Sequence, residues 1–185
     1  MAARYRAARI DLADLLLEGS IDARDPARAV ALYEQAWRSG VAIAAFKLGA
    51  LYELGVPASA SLAKIPDPAR AWRWYQMGAD AGEPNALARF AEREEREATS
   101  EDTRQKQNER LLRAFRFYAT AAEHSRMQSL PDDTWRGWRY QRASLARLLA
   151  GEGMMQQVAE AYAATNDSIP QPLPWWKRLS AKLPW

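Results

Sequence analysis

A sixteen-residue segment occurs twice in this chain, and the repetition constrains the fold more than any other feature. Residues 25–40 and 67–82 both begin with Asp-Pro-Ala-Arg-Ala, carry a tyrosine at the ninth position and end in glycine. A weaker third copy covers residues 113–125, so the copies recur at spacings of 42 and 43 residues. Periods of about 20 to 50 residues are typical of repeat architectures. The sequence therefore predicts a stack of similar units.

Each copy has the apolar spacing of an α-helix. Apolar or small residues fall at positions i, i+3, i+4 and i+7, which lie on one helical face. The first two copies begin with aspartate and proline, which suit a helix N-cap and first turn, and they end in glycine, which suits a left-handed C-terminal residue. The three sets are Ala29, Leu32, Tyr33 and Ala36, then Ala71, Trp74, Tyr75 and Gly78, and then Ala114, Phe117, Tyr118 and Ala121.

A second motif precedes the repeated segment and predicts its partner helix. Residues 48–55 read Leu-Gly-Ala-Leu-Tyr-Glu-Leu-Gly, and residues 12–19 read Leu-Ala-Asp-Leu-Leu-Leu-Glu-Gly. The small residue at the second position, Gly49 or Ala13, lets a neighbouring helix approach closely. The first-helix motif recurs after 36 residues, from Leu12 to Leu48, whereas the second-helix motif recurs after 42 residues. The spacings differ by six because the loop after Gly55 is six residues longer than the loop after Gly19, and insertions between repeats fall in loops. The sequence thus predicts helical hairpins that bury their apolar faces by stacking.

Together the two motifs resemble the Sel-one-like repeat family of bacterial proteins, a branch of the tetratricopeptide-like helical repeats. The first-helix signature of that family is matched by Ala44, Leu48, Gly49, Tyr52 and Gly55. The second-helix signature is matched by Asp67, Ala71, Trp74, Tyr75, Ala79 and Gly82, with Gly78 where the family has alanine. The resemblance covers residues 7–91 well and residues 108–150 loosely. It implies an all-α fold, a right-handed α-α superhelix of about three to four helical hairpins.

The boundaries of the motifs predict one repeat domain over residues 1–168, followed by a basic tail rich in Pro and Trp at 169–185. The hairpins cover about residues 7–40, 43–82, 85–125 and 132–165, with a charged insertion at about 92–110. Glu/Arg pairs favour a helix for most of the insertion, with a break and cap at Ser100 or Thr103. The structural repeat positions are Leu12, Tyr33, Gly40, Leu48, Gly49, Tyr52, Ala71, Trp74, Tyr75, Gly82, Phe117 and Tyr118.

Composition leaves little room for catalytic or metal chemistry. The chain has no cysteine and a single histidine, His124. Cysteine nucleophiles and thiolate metal sites are therefore excluded, and the usual nucleophile–base pairs cannot be assembled. His124 lies at the predicted end of a helix, where interaction with the helix dipole gives it a structural role. We expect no enzymatic activity, no metal and no cofactor.

The first helices of stacked hairpins generally line the concave face of a solenoid, so their outward positions are candidates for binding a partner. One row of equivalent positions runs from acidic to basic along the chain, through Asp11, Lys47 and Arg89. Such a gradient would orient an extended partner segment, and scattered surface charge is the alternative explanation. The partner-binding residues predicted on helices are Lys47, Arg89, Arg93, Trp135, Trp138, Arg139 and Arg142.

The C-terminal tail adds two further candidates, Trp175 and Trp176, beside Lys177 and Arg178. Three interpretations stay open. The tail docks on its own repeats or on a partner, or it lies at a membrane surface, where Trp with Lys and Arg suits the headgroup region, or it has no role. The net charge is only +3 at pH 7, and the arginines follow no known nucleic-acid module, so no nucleic acid is expected.

The sequence favours a non-enzymatic scaffold or adaptor that binds one cognate partner protein on its concave face. The resemblance points the same way, because members of that family commonly act as adaptors in bacterial envelope assembly, secretion and signalling. One alternative is an immunity or inhibitor protein that neutralises a bacterial toxin. Another is a hydrolase or polysaccharide-binding protein that uses Trp135 and Trp138. The chain lacks a signal-peptide core, so the cytoplasm is expected by default, and the bacterial periplasm if a leader has been removed.

Overall fold

The computed structural model of the chain describes residues 2–19, 24–57, 64–127 and 132–164, and most of them are helical. The all-α class predicted from the sequence is confirmed. In chain order the elements are α1 (Ala2–Glu18), α2 (Pro26–Arg38), α3 (Ile43–Leu54), β1 (Val56–Pro57), β2 (Lys64–Ile65), α4 (Pro68–Asp80), α5 (Pro84–Ala98), α6 (Arg104–Met127), α7 (Asp132–Gly151) and α8 (Met155–Ala164). The two-residue strands pair antiparallel, with Val56 opposite Ile65, at the base of the longer loop between α3 and α4.

The repeated segment forms α2 and α4, which start in the same way. Asp25 accepts a 2.9 Å hydrogen bond from the backbone N–H of Arg28, and Asp67 accepts one of the same length from Arg70. Proline follows each aspartate, at a position whose N–H needs no partner in the helix. The predicted N-caps are confirmed.

The two helices also end alike. Gly40 has φ +85° and Gly82 has φ +74°, a left-handed conformation that favours glycine. After each glycine the next backbone N–H turns back to a helix carbonyl, from Val41 to Ala36 at 3.1 Å and from Glu83 to Gly78 at 2.9 Å. This pattern satisfies carbonyls that the helix itself cannot. The predicted C-terminal glycines are therefore confirmed.

The chain divides into two compact units, residues 1–93 and 94–185, and α5 crosses the division. In the first unit α1 packs on α2, α2 on α3 and α3 on α4. Tyr33, Leu48, Ala71 and Tyr75 are almost fully buried there, whereas the predicted repeat positions Leu12, Tyr52 and Trp74 are half-buried. The rings of Trp37 and Trp74 meet edge to face at 6.3 Å, which joins α2 to α4.

Close approach of α3 and α4 depends on Gly49. A Cβ atom added at Gly49 would overlap the ring of Tyr75. The small residue predicted at this position is therefore a packing requirement, since the tyrosine ring occupies the space that a side chain would need.

In the second unit α6, α7 and α8 pack on one another. Their core contains Phe115, Tyr118 and Leu149, with Phe117 half-buried. The rings of Phe115 and Tyr162 meet at 4.9 Å and join α6 to α8. The third copy of the repeated segment thus lies within α6 and contributes its tyrosine to a core, as the first two copies do.

The charged insertion is helical at both ends. The helix α5 continues to Ala98, and residues 99–103 are not helical. Thr103 then accepts a 3.4 Å hydrogen bond from the Lys106 N–H at the start of α6. Arg110 of α6 then pairs with three carboxylates, Glu94 at 3.1 Å, Glu97 at 2.6 Å and Glu101 at 2.5 Å. These ion pairs hold the end of α5 against α6, and they account for much of the charge in this stretch.

Candidate partner-binding surface

Lys47, which we predicted to bind a partner, makes ion pairs within the first unit. Its ammonium group on α3 lies 3.1 Å from both carboxylate oxygens of Asp14 on α1. Asp14 also accepts a hydrogen bond from the hydroxyl of Tyr33 on α2. The three side chains therefore connect three consecutive helices.

Arg89 has the same place in the next hairpin. Its guanidinium group on α5 lies 2.5 and 2.6 Å from the two carboxylate oxygens of Glu53 on α3. Glu53 accepts a 2.7 Å hydrogen bond from the hydroxyl of Tyr75 on α4, and Arg89 also pairs with Glu92. We call the sets Tyr33–Asp14–Lys47 and Tyr75–Glu53–Arg89 the two tyrosine clamps.

The clamps repeat their tyrosine and their cation but not their carboxylate. In the sequence alignment Tyr33 corresponds to Tyr75 and Lys47 to Arg89, whereas Asp14 corresponds to Ala50. Glu53, which lies three residues after Ala50 and about one helical turn away, supplies the carboxylate instead. The sequence alignment did not identify Glu53, because the carboxylate of the second clamp lies three residues after the position that aligns with Asp14. The tyrosine and the cation lie at aligned positions in both clamps.

Burial determines the protonation of the clamps. Desolvation raises the pKa of the Tyr33 hydroxyl above its ordinary value of 10.0, and the hydrogen bond to Asp14 raises it further. Burial and the hydrogen bond to Glu53 likewise raise the pKa of Tyr75. Both hydroxyls are therefore protonated donors at neutral pH. Burial lowers the pKa of Arg89, but Glu92 and Glu53 more than compensate, so its pKa is raised and the group stays charged.

Arg93, another predicted binding residue, is exposed on α5 and stacks on an aromatic cluster. Its guanidinium carbon lies 4.6 Å from the centre of the Trp72 ring. Trp72 in turn meets Tyr75 and Phe90 edge to face, each at 5.4 Å. Trp72 therefore packs between helices and presents one face to a cation.

The predicted residues on α7 have different exposures. Arg142 is only 4% exposed, and its guanidinium carbon lies 4.9 Å from the centre of the Tyr162 ring. Trp138 and Arg139 are half-buried. Trp135 lies on α7, but its side chain is outside the described part of the structure, as are Trp175 and Trp176. Arg142 is thus placed in the interior of the second unit, which removes it from an outer surface.

The most exposed part of α7 carries residues that sequence reasoning did not select. Tyr140 is 71% exposed and Leu148 is 49% exposed. They share one side of the helix with other exposed residues at helical spacing. We call this side the α7 face, and it consists of Arg136, Gly137, Tyr140, Gln141, Ser144, Arg147, Leu148 and Gly151.

A signal for the α7 face was present in the sequence. The buried side of α7 contains Leu145, Ala146 and Leu149. Tyr140 and Leu148 are out of phase with that stripe, so at least part of each side chain had to face away from the hairpin core. The sequence analysis selected Trp135 and Trp138 instead, which lie nearer the start of the same helix.

Two features of the described residues bear on the metal and hydrolase alternatives. No group of three or more acidic or histidine side chains is placed to hold a metal ion within these residues. An open cleft of about 410 Å³ between α6 and α8 is lined by Arg116, Thr120, Glu160, Ala161 and Ala164. One carboxylate and no aromatic ring line this cleft, which is not the acid pair that a glycosidase uses. No helix in the described segments is long and apolar enough to cross a membrane.

Comparison with known families finds a match in the first unit. The model of the Sel1 repeat matches residues 6–41 and again residues 42–83. The two matches are consecutive and together cover less than half of the chain. The repeats contain both tyrosines and both carboxylates of the clamps, while Arg89 follows the second repeat. Sel1 repeats generally mediate protein–protein interactions, and their family is typically a non-catalytic scaffold.

Solved structures of Sel1-like repeat proteins show similarity to the chain. A Sel1 repeat protein from Oxalobacter formigenes is 18% identical over 87% of this chain and 65% of that protein, with a TM-score of 0.44. The protective antigen c5321 of uropathogenic Escherichia coli, which displays an SLR fold, is 15% identical over 97% of this chain, with a TM-score of 0.40. The chain thus spans 65% and 49% of the lengths of these two proteins. No curated protein sequence matches it.

Proposed function

We propose that this protein is a non-enzymatic scaffold or adaptor and that it binds a partner protein through the α7 face. The observation that supports the proposal is the pair of exposed apolar side chains on one side of α7, Tyr140 at 71% and Leu148 at 49% exposure. Burying a leucine or an aromatic side chain in an interface contributes about 1.5 to 3 kcal/mol. Tyrosine and arginine are also the residue types enriched at binding hot spots.

The clamps give a second reason to favour the α7 face over the first-helix row. Lys47 and Arg89 are bound to Asp14 and Glu53, and a partner that used either cation would have to break those ion pairs. Trp138 and Arg139 are half-buried on α7 and fit the rim of the proposed surface. Arg93, stacked on Trp72, offers a separate exposed cation in the first unit.

Site-specific photocrosslinking in the native host tests the proposal. A photoreactive phenylalanine is placed at position 140 or 148, and at Leu54 or Met77 as controls, because these two are exposed apolar residues of the first unit, at 67% and 37%. We expect one protein to be captured from positions 140 and 148 and not from the control positions. Equal capture from all four positions, or none from 140 and 148, would reject the α7 face as the contact surface.

Binding of the captured partner is then measured with purified proteins. The variant Tyr140→Ala/Leu148→Ala should weaken binding at least tenfold, because two hot-spot side chains commonly contribute more than about 1.4 kcal/mol. The matched variant Leu54→Ala/Met77→Ala should bind within about twofold of the wild type. If the captured partner is a toxin whose activity the protein blocks, the role is immunity rather than adaptor function.

A further inference from the structure

We propose that the open cleft between α6 and α8 binds the C-terminal segment of the same chain, with the indole rings of Trp175 and Trp176 as its anchors. The proposal concerns the second unit alone and does not rest on the proposed function. The cleft has a volume of about 410 Å³. Protein pockets that bind small ligands have volumes of about 300 to 1,000 Å³, so the cleft has room for an indole side chain.

The helix α8 aligns with the second helices of the earlier hairpins. Val158 and Tyr162 have the same spacing as Ala29 and Tyr33 of α2. Val158 is buried, as Ala29 is, and the backbone N–H of each donates a 3.0 Å hydrogen bond to the carbonyl four positions earlier. We therefore treat α8 as the second helix of the last hairpin.

This alignment explains why the boundary between α6 and α8 is open. The corresponding boundary between α2 and α4 is filled by the rings of Trp37 and Trp74, which meet edge to face at 6.3 Å. The repeat spacing places Ala122 of α6 at the position of Trp37, and Ala161 of α8 at the position of Trp74. Ala161 lines the cleft. In the described residues, two alanines thus stand where the first unit has two indole rings.

The continuation of the chain carries such rings close to the cleft. Ala164 lines the cleft and is the last residue of α8, and Trp175 follows eleven positions later. Eleven residues span at most about 40 Å, which is ample for a segment that starts at the cleft wall. The intervening residues 166–168 are Asn-Asp-Ser, and these types favour the turn that a returning chain needs.

A short connection also makes a weak contact sufficient. A short linker gives the attached segment an effective concentration on the order of 1 mM. A contact with a Kd of about 0.1 mM would then be occupied about nine-tenths of the time. The cleft therefore needs only modest affinity to hold the segment.

The charges on the two walls match the order of residues in the segment. Arg116 is exposed on the α6 wall and forms no ion pair within the described residues, and a guanidinium group favours the face of an indole ring. Glu160 on the α8 wall accepts a 2.9 Å hydrogen bond from Gln156, a neutral amide, so its negative charge is not neutralised. Lys177 directly follows the two tryptophans and supplies a cation for this carboxylate.

The accessibility of a single thiol in the cleft tests the proposal in the full chain. The chain has no cysteine, so Thr120→Cys places one thiol on the α6 wall. Its reaction with a maleimide should be about tenfold slower than in the same chain with Trp175→Ala/Trp176→Ala, because the segment shields it about nine-tenths of the time. Gln157→Cys, at an exposed position of α8 outside the cleft, should react equally in both backgrounds within about twofold. Circular dichroism verifies that each variant is folded.

A peptide added separately shows whether the segment itself binds. Residues 169–185, supplied at about 1 mM to the Thr120→Cys chain with Trp175→Ala/Trp176→Ala, should restore the slow reaction. The same peptide with alanine at both tryptophan positions should not. Glu160→Gln should weaken peptide binding at least threefold. The matched control is Glu109→Gln on α6, which also removes a carboxylate that accepts a hydrogen bond from a glutamine four positions earlier, and it should leave binding within about twofold.

Three results would overturn the proposal. The first is equal reaction of the thiol with and without the two tryptophans. The second is a failure of the peptide to protect the thiol. The third is protection that grows as the protein concentration rises from about 1 to about 100 μM, since the cleft would then bind the segment of a second copy. None of these results bears on the α7 face, because the crosslinking experiment decides that function separately.

Discussion

The Tyr75 hydroxyl donates a 2.7 Å hydrogen bond to the carboxylate of Glu53, from α4 to α3. The tyrosine ring lies against Gly49 of the same helix α3, and Arg89 of α5 binds the same carboxylate. A single glutamate thus joins the second helix of one hairpin to the first helix of the next. Because the same arrangement recurs around Asp14, it is a recurrent way of connecting successive repeats in this chain.

Removing a clamp hydroxyl should destabilise the fold measurably. We expect Tyr75→Phe to lower the free energy of unfolding by about 0.5 to 1.5 kcal/mol, because it removes one hydrogen bond while Arg89 still neutralises Glu53. Urea unfolding followed by circular dichroism gives the value. Tyr140→Phe is the matched control, since this ring is 71% exposed, and it should change stability by less than about 0.3 kcal/mol. Equal effects of the two variants would contradict a structural role for the clamp.

Removing the clamp cation should cost more than removing a surface arginine. In Arg89→Met, Glu53 and Glu92 lose their cation, and we expect a loss of about 1 to 2 kcal/mol, reduced from the value for a fully buried pair because the side chains are 25% to 41% exposed. Arg38→Met is the control, because Arg38 is 71% exposed and pairs with Glu34 of the same helix. Its expected cost is below about 0.5 kcal/mol.

A double-mutant cycle of Arg89→Met with Glu53→Gln isolates the ion pair from other effects of each change. The coupling between the two positions should exceed about 0.5 kcal/mol. A coupling near zero in urea unfolding would show that Arg89 acts through its packing on the Tyr75 ring, at 5.5 Å, rather than through Glu53.

Two glycine-to-alanine substitutions should change the stability of the protein in opposite directions. Gly49→Ala places a methyl group in the Tyr75 ring and should destabilise the protein by about 1 to 3 kcal/mol, the usual cost of overpacking. Gly137→Ala meets no neighbour within 4 Å and should stabilise α7 by about 0.5 to 1 kcal/mol, because alanine is the better helix former. Thermal unfolding of both variants is the measurement. Stabilisation by Gly49→Ala would mean that α3 and α4 do not approach as closely as described.

The buried carboxyl of Glu83 predicts a dependence of stability on pH. This residue directly precedes α5, is 2% exposed, and accepts hydrogen bonds from the Asn85 side chain at 2.7 Å and from the Ala86 N–H at 2.6 Å. Burial raises its pKa above the ordinary value of 4.5, although the hydrogen bonds oppose the shift. The folded state therefore binds the proton more tightly than the unfolded state. Its contribution to stability is complete below pH 4.5 and is lost as pH rises through the folded pKa.

The variant Glu83→Gln keeps an acceptor for the Ala86 N–H but cannot ionise. Its stability relative to the wild type should therefore increase as pH rises from 4 to 7, as measured by urea unfolding across this range. Glu109→Gln, at an exposed position of α6, is the matched control variant. A Glu83→Gln difference that falls with rising pH would show that the helix N-terminus stabilises the charged carboxylate more than burial destabilises it.

Much of the fold could be predicted because its signals are local. Asp25, Asp67, Gly40 and Gly82 encode the helix ends through hydrogen-bonding capacity and backbone freedom, and each acts within a few residues of itself. The spacing of Tyr33, Tyr75 and Tyr118 identified core positions because burial recurs with the helical period. The match of Sel1 repeats to residues 6–83 agrees with the resemblance found from those residues.

The candidate site could not be predicted in the same way. Lys47 and Arg89 looked like outward cations, yet each reaches a carboxylate on a neighbouring first helix, 33 or 36 positions earlier in the chain. Arg142 looked like a groove residue, yet it lies against Tyr162 of α8. Which charged side chains form ion pairs depends on the distances between helices. The sequence pattern within each helix does not give those distances.

The sequence by itself determined the first two repeats, the ends of α2 and α4 and the identity of many packing residues, since these follow from periodicity and from the chemistry of caps. Only the tertiary structure decided which charged and aromatic side chains are exposed. It places Glu53 in a clamp, Arg142 in the interior, and Tyr140 and Leu148 on the outside of α7. The physical reason is that ion pairing and burial depend on contacts between helices that are far apart in the chain. A helical pattern, in contrast, depends only on the residues within one segment.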